Sequence, residues 1–235
     1  MPDLRQRSYQ PELLDEDNIP FADIRLNMQE LHTINTLLGG HRITCLGVSS
    51  LLPSDKRPLH ICEIGCGGGD NLQAIDRWLR TKKIYATYTG IDIKKECIDF
   101  AQQQNPTLPV KWITSDYRLV NFGNEKPDII FSSLFCHHFN DEQLAEMFKW
   151  KYEQSILGFF INDLQRNPIA YHAIRLLTTL FSRSYLVKND APLSVARGFH
   201  KDELIRILQQ AGLTHSHVSW KWAFRYLVIC RHATG

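Results

Sequence analysis

Three stretches of this chain combine residue types and spacings that can do chemistry. Residues 59–70, Leu-His-Ile-Cys-Glu-Ile-Gly-Cys-Gly-Gly-Gly-Asp, pass from an apolar strand pattern into a glycine-rich turn that opens a helix. Glycines at 65, 67 and 69 let the backbone turn sharply and approach a ligand, and the helix behind them offers unpaired N–H groups and a positive dipole end. Such a turn cradles a nucleoside-bearing cofactor. The other two stretches, Phe135-Cys-His-His-Phe-Asn-Asp and Asn162-Asp163, each follow an apolar strand run. A hydroxyl attacks poorly until it loses its proton, so His137 or His138, oriented by the Asp163 carboxylate, has the makings of a general base. A histidine that caps a helix or packs under a cover is the plainer reading of the same pair, and both readings stand at this point.

The elements that must position these residues alternate. A helix is expected over 70–80, then strands over 85–92, 110–117, 127–134 and 155–163, with helical runs between them. Carboxyl ends of central strands are where open α/β sheets place their sites, and the second and third chemical stretches fall there. Asp92, at the end of the second strand, can accept hydrogen bonds from both hydroxyls of a ribose and disfavours a 2′-phosphate. A dinucleotide turn has a third glycine where this chain has Asp70. After a helix over 200–211, closed by Gly212, the runs 213–220 and 224–231 are joined too closely for a parallel crossover and form an antiparallel hairpin.

The Glu63-led pattern Glu-x-Gly-x-Gly-x-Gly resembles motif I of the class I S-adenosylmethionine-dependent methyltransferases, and the resemblance extends over residues 58–231. It implies an α/β fold with a Rossmann-like, seven-stranded, mostly parallel sheet, an antiparallel C-terminal hairpin, helices on both faces and a helical lid. It implies S-adenosylmethionine as cofactor and S-adenosylhomocysteine as product. The cofactor residues carried over are Glu63, Gly65, Cys66, Gly67, Gly69, Asn71, Asp92, Ile93, Asp116, Tyr117 and Ser132. Asp116 is the acid expected to take the adenine amino group, and Asn71 is expected at the methionine end. A histidine after the fourth strand with an aspartate after the fifth is similar to sugar and phenol O-methyltransferases of this class, which makes His137, His138 and Asp163 the catalytic candidates. Arg166, Arg197 and Arg225, as receptors for a carboxylate or phosphate, and Tyr171, Trp220, Trp222 and Phe224, as aromatics that could line a pocket, are the acceptor-binding candidates. Pro11-Glu-Leu-Leu-Asp, Ile34-Asn35 with Gly39-Gly40, and Asn162 to Tyr171 further resemble bacterial methyltransferases of secondary metabolism, so the expected acceptor is a phenolic or polyketide hydroxyl.

Rival functions fit less well. Exocyclic-amine DNA methyltransferases carry Pro-Pro where this chain has Ser133-Leu134, and a cytosine-carbon enzyme needs a Pro-Cys nucleophile, whereas Cys136 follows Phe135. A non-catalytic methyltransferase-like subunit would carry a damaged glycine turn or lack the ribose acid. A nicotinamide oxidoreductase is opposed by Asp70 and by the hairpin.

Composition adds bounds. The chain has 235 residues, 43% hydrophobic, with 27 Lys+Arg against 25 Asp+Glu for a net charge of +2, enough for one α/β core and a small appendage. No basic block calls for nucleic acid, and no apolar run approaches the roughly 20 residues that span a bilayer. Six cysteines without a CxxC pair, and a start without an apolar signal core, point to a reduced cytoplasmic protein. The resemblance implies a small-molecule substrate, and no metal is expected. A homodimer is compatible with these features. Residues 58–235 are expected to form the main domain. Residues 1–57, with an amphipathic helix from Ile24 to Leu38 stopped by Gly39-Gly40, form a helical cover, and residues 164–199 form a lid insertion of one helix and a loop.

Overall fold

Short apolar strands that alternate with one-sided helices cannot hide their backbone and apolar faces alone, and they build a layered sheet. The computed structural model describes residues 3–16, 18–55 and 57–232, so the extreme ends of the expected domain ranges, 1–2 and 233–235, lie outside the described residues. The strands are β1 (Leu59–Ile64), β2 (Ala86–Asp92), β3 (Val110–Thr114), β4 (Ile129–Ser133), β5 (Gly158–Leu164), β6 (Ser216–Lys221) and β7 (Arg225–Arg231). They pair in the order β3-β2-β1-β4-β5-β7-β6. β1 to β5 run parallel; β7 pairs antiparallel with both β5 and β6. The expected seven-stranded sheet and reversed hairpin are therefore present, with strand ends displaced by a few residues.

The helices are α1 (Phe21–Leu37), α2 (Gly40–Leu51), α3 (Asp70–Thr81), α4 (Lys95–Gln104), α5 (Asp141–Gln154), α6 (Pro168–Phe181), α7 (Tyr185–Arg197) and α8 (Lys201–Gln210). Both faces of the sheet are covered, so β4 is buried along its whole length. On one face Met147 and Phe148 of α5 and Leu204 and Ile207 of α8 pack on Ile130, Phe159 and Ile161. On the other, Val48 and Leu51 of α2 and Leu72 and Ile75 of α3 pack on Ile61, Phe131 and Phe160. The order of strands reverses between β1 and β4, which opens a crevice at their carboxyl ends.

Two segments differ from expectation. Gly39 does end α1, but the helical cover does not stop there, because Gly40 begins α2. α2 belongs to the core: a Cβ at Gly47 would stand 2.4 Å from the Phe160 ring, so only glycine lets this helix come so near β5. The lid insertion holds two helices instead of a helix and a loop, and Asp190, Ser194 and Arg197 are all helical. Pro192 reads as a breaker in sequence. Burial of Leu186, Val187 and Val195 holds α7 together around it.

Candidate active site

A cavity of about 930 Å³ occupies the crevice, walled by the ends of β1, β2 and β4 and roofed by α1, α6 and α7. The glycine turn forms its floor. Gly67 lies at φ +48°, and a Cβ there would project toward the cavity, 3.3 Å from Met28 Sδ, so glycine keeps the backbone open to a ligand. The Gly67 N–H donates to Asp92 Oδ2 at 2.9 Å and the Lys94 N–H to Oδ1 at 2.9 Å. Burial pushes the Asp92 carboxyl up against the pull of these donors. Beneath the turn Asn71 Nδ2 donates to Glu63 Oε1 at 2.9 Å, while the other Glu63 oxygen is buried without a partner. Burial raises the Glu63 carboxyl well above the usual range. Farther along the wall Asp116 caps a short 3-10 turn (Tyr117–Leu119) and pairs with Arg118 at 2.5 Å.

At the other end, Leu134 sits at φ +52° and bends the chain after β4 into a second 3-10 turn (Cys136–His138). This bend aims three backbone N–H groups at one buried carboxylate: Phe135 and Cys136 donate to Asp163 Oδ2 at 3.1 and 2.7 Å, and Leu164 to Oδ1 at 2.8 Å. His137 Nδ1 completes the set at 2.7 Å from Oδ1. Burial opposes ionisation of Asp163, but the His137 charge and the donors outweigh it and hold the carboxyl down to about 2. Burial likewise opposes charge on His137, and the two carboxylates beside it raise it to about 9. The second carboxylate is Glu12. It arrives on an N-terminal strap and places Oε1 3.4 Å from His137 Nε2 and Oε2 3.7 Å from His138 Nε2. His138 Nδ1 lies 3.3 Å from Asp15 Oδ1. Burial pushes Glu12 up, and the two imidazoles more than reverse it.

Buried arginines hold the strap. Arg197 donates to the Gln10 carbonyl at 2.7 Å and to the His137 and His138 carbonyls at 3.2 and 3.0 Å. Arg166 donates to the Leu4 and Gly198 carbonyls at 3.0 and 2.6 Å and pairs with Glu203 at 2.7 Å. Arg7 joins the Phe139 carbonyl at 2.7 Å to Asp141 at 2.8 Å. Leu13 and Leu14 give their N–H groups to the Asp190 carboxylate at 2.8 and 2.9 Å.

The structure gathers most of the expected residues around this cavity. Gly65, Cys66, Gly67, Asn71, Asp92, Ile93, Asp116 and Tyr117 line it, as do His137 and His138. Glu63, Gly69 and Ser132 stand one layer behind; Ser132 accepts from the buried Lys151 Nζ at 2.6 Å. Asp163 acts from behind His137. Arg166, Arg197 and Tyr171 do not line the cavity, and the two arginines spend their donors on backbone carbonyls and on Glu203. Residues absent from the expected set do reach it. Glu12 and Asp15 come from a segment that reads as a polar lead-in, with nothing in its spacing to join it to residues far along the chain. Of the expected arginines, Arg225 does face the cavity, only 2% exposed, and among the described residues its side chain has one partner, Asn162 Oδ1 at 3.5 Å. The remaining wall is apolar, with Met28, Leu31 and Ile34 of α1, Ile174 and Leu177 of α6, Val195 of α7, and Trp222 and Phe224 of the hairpin. At the start of α3, Asp70 accepts from His41 Nε2 at 2.7 Å and lies 3.6 Å from His32 Nδ1.

Residues 61–153 match the family described as methyltransferase domain. No curated sequence relative matches significantly. Among solved structures, the plantazolicin methyltransferase BpumL in complex with S-adenosylhomocysteine shares 15% identity, 89% of this chain covering 95% of that chain at a TM-score of 0.65. Human N-acetylserotonin methyltransferase with S-adenosylmethionine shares 16% identity over 92% of this chain and 57% of that chain, with a TM-score of 0.63. A methyltransferase from Aquifex aeolicus shares 15% identity over 92% of this chain and 100% of that chain, at 0.58. Residues 61–153 thus match a methyltransferase domain, and the sheet around them has the fold of these solved methyltransferase structures.

Proposed function

We propose that the chain transfers the methyl group of S-adenosylmethionine to a hydroxyl of an apolar small molecule of phenolic or polyketide type. One observation carries this reading: a single cavity runs from the glycine turn and Asp92 to His138 beneath an apolar helical roof. Its volume of about 930 Å³ lies at the upper end of the roughly 300–1,000 Å³ common for ligand pockets, room for a cofactor and an acceptor together. The open glycine backbone and the Asp92 carboxylate suit the cofactor's nucleoside, which when bound supplies an electrophilic methyl group on a sulfonium. Structural neighbours named for plantazolicin and N-acetylserotonin support a small-molecule or peptide-like acceptor.

This chain's own residues then divide the work. α1, α6 and α7 exclude water from a cationic reactant, and their apolar side chains hold an aromatic acceptor in line with the methyl group. Arg225 offers free donors to a carboxylate. Of the two imidazoles, His137 is 2% exposed and His138 22%, so His138 is the group that meets the acceptor hydroxyl, with Glu12 and Asp15 orienting it and Asp163 fixing the turn. Residues 1–57 and 164–199 serve as cover, with α2 as their anchor on the sheet. Six buried free cysteines fit a reduced compartment, in keeping with a cytoplasmic enzyme. The test is incubation of the chain with S-adenosylmethionine carrying a labelled methyl group and a panel of phenols, polyketides, hydroxy acids and RNA. Label on a phenolic oxygen is expected; label only on RNA, or none on any acceptor, refutes the assignment.

A further inference from the structure

We propose that Glu12, His137 and His138 form a divalent-cation site of the two-histidine, one-carboxylate type, which takes a first-row transition ion such as zinc at the acceptor end of the cavity. The inference rests on the methyl-transfer reading and supplies the means by which the acceptor hydroxyl is ionised.

The separations are those of ligands around an ion. His137 Nε2 stands 3.4 Å from Glu12 Oε1 and His138 Nε2 stands 3.7 Å from Oε2, both longer than the roughly 2.7–2.9 Å of a charge-assisted N–H···O bond. Two atoms each about 2.0–2.1 Å from a tetrahedral ion are separated by roughly 3.4 Å. One ligand atom from each of the three residues falls within 4.8 Å of the others.

The second shell is built as well. Asp163 lies 2.7 Å from His137 Nδ1 and Asp15 lies 3.3 Å from His138 Nδ1. A carboxylate on the far nitrogen fixes the tautomer whose Nε2 lone pair is free to ligate. The Ser194 hydroxyl donates to Glu12 Oε1 at 2.6 Å and fixes that carboxylate in turn. Side-chain exposure is 2% for His137 and 5% for Glu12 but 22% for His138, so the cluster is closed at the back and open toward the cavity.

The molecule contains its own contrast. His32, His41 and Asp70 also place three ligand atoms within 4.8 Å. There the His41–Asp70 contact of 2.7 Å is a finished hydrogen bond, and His32 is 46% exposed. A cation would have to break that bond, whereas Glu12 and the two imidazoles leave an ion-sized gap.

Three protein ligands leave one position for the acceptor's oxygen. An ion there lowers the pKa of the hydroxyl, and its proton passes to water. The oxygen lone pair forms the new O–C bond, and the C–S bonding pair returns to sulfur, which departs in neutral S-adenosylhomocysteine.

The test uses the untagged full chain, stripped with a chelator and titrated with Co²⁺ followed by visible absorption, then with competing Zn²⁺. One equivalent of Co²⁺ is expected, displaced by Zn²⁺ and weakened by at least about 100-fold in both His138→Ala and Glu12→Gln; Asp15→Asn, which keeps an acceptor for the Glu12 N–H but removes the charge beside the far nitrogen of His138, should lose about 10–100-fold. His41→Ala should bind Co²⁺ like the unaltered chain. Calorimetric titration with S-adenosylhomocysteine establishes that each variant is folded. Failure of the stripped chain to bind Co²⁺, or binding that His138→Ala and Glu12→Gln leave unchanged, overturns the cation site. Phenol methylation undiminished by stripping overturns it too while the proposed function stands. Co²⁺ binding here without methyl transfer to any phenol or polyketide keeps the site and refutes the acceptor assignment.

Discussion

Two His–carboxylate clusters face one cavity, built from the same residue types and arranged differently. Around Asp70, at the start of α3, His41 is already hydrogen-bonded at 2.7 Å, His32 is half-exposed, and the partners come from consecutive helices, α1 to α3. Around Glu12, the two imidazoles sit 3.4 and 3.7 Å from the carboxylate, with Asp163 and Asp15 on their far nitrogens, and the partners come from the strap and from the ends of β4 and β5. The first cluster is a complete latch that pins α1 over the helix N-terminus. The second is held from behind, and its carboxylate and imidazoles stand farther apart than a finished hydrogen bond. Spacing and burial, more than residue type, separate a structural pair from a chemical one.

The contrast can be broken most directly through Asp163, which holds three backbone N–H groups and His137 with no exposure to solvent. Removing one partner of a buried charge pair typically costs about 3–5 kcal/mol, so Asp163→Ala should lose that much in urea melts, whereas Asp70→Asn, at a carboxylate 25% exposed that keeps its shape in the amide, should lose about 1 kcal/mol or less. Equal losses at the two positions would show that the clusters do not differ in kind.

A smaller effect tests whether the Glu12 cluster is separate from the wall of the glycine turn and Asp92, where we propose the cofactor binds. Asp92→Ala should weaken S-adenosylhomocysteine binding by about 1–3 kcal/mol in calorimetry, and His138→Ala should leave it within a few-fold. If His138→Ala weakens it as much, the two walls act as one site.

The smallest expected effect is the pH response of the latch. The hydrogen bond to Asp70 raises His32 against a smaller opposing pull from burial. A raised folded value means that this stabilisation is fully present below the unfolded histidine value, about 6.5, and fades as pH climbs through the folded value. Burial pushes Asp70 up, but His32 and His41 more than reverse it, so its share is present above about 3.9 and fades in stronger acid. Hydrogen exchange in α1 should therefore be slowest, corrected for intrinsic rates, between about pH 4 and 6.5, and should quicken above that window by a surface-pair increment of about 1 kcal/mol or less. Protection in α1 that increases as pH climbs above 7 would show that Asp70 does not hold the helix down.

How much of this was legible in the sequence depends on the range of the interactions. The glycine turn, Asp92, the alternating strands and the closing hairpin are local patterns, each set by backbone conformation or by a side-chain period of two, and a linear reading finds them. α2 was hidden because the Gly39-Gly40 pair reads as a stop, and only the approach of Gly47 to Phe160 explains a helix there. α7 was hidden because Pro192 reads as a breaker, and burial against the cover overrides it. Arg166 and Arg197 carry the charge of anion receptors, yet the strap's carbonyls claim their donors.

By itself the sequence determined the seven-stranded sheet, its antiparallel hairpin and the placing of the glycine turn and Asp92 at strand ends, because these follow from short-range propensity and from residues adjacent to strand ends. Only the tertiary structure decided what surrounds His137 and His138. Their neighbours Glu12 and Asp15 arrive from a strap held by arginines on other elements, and the distances that separate a hydrogen bond from an ion's ligand set exist only once that strap is in place.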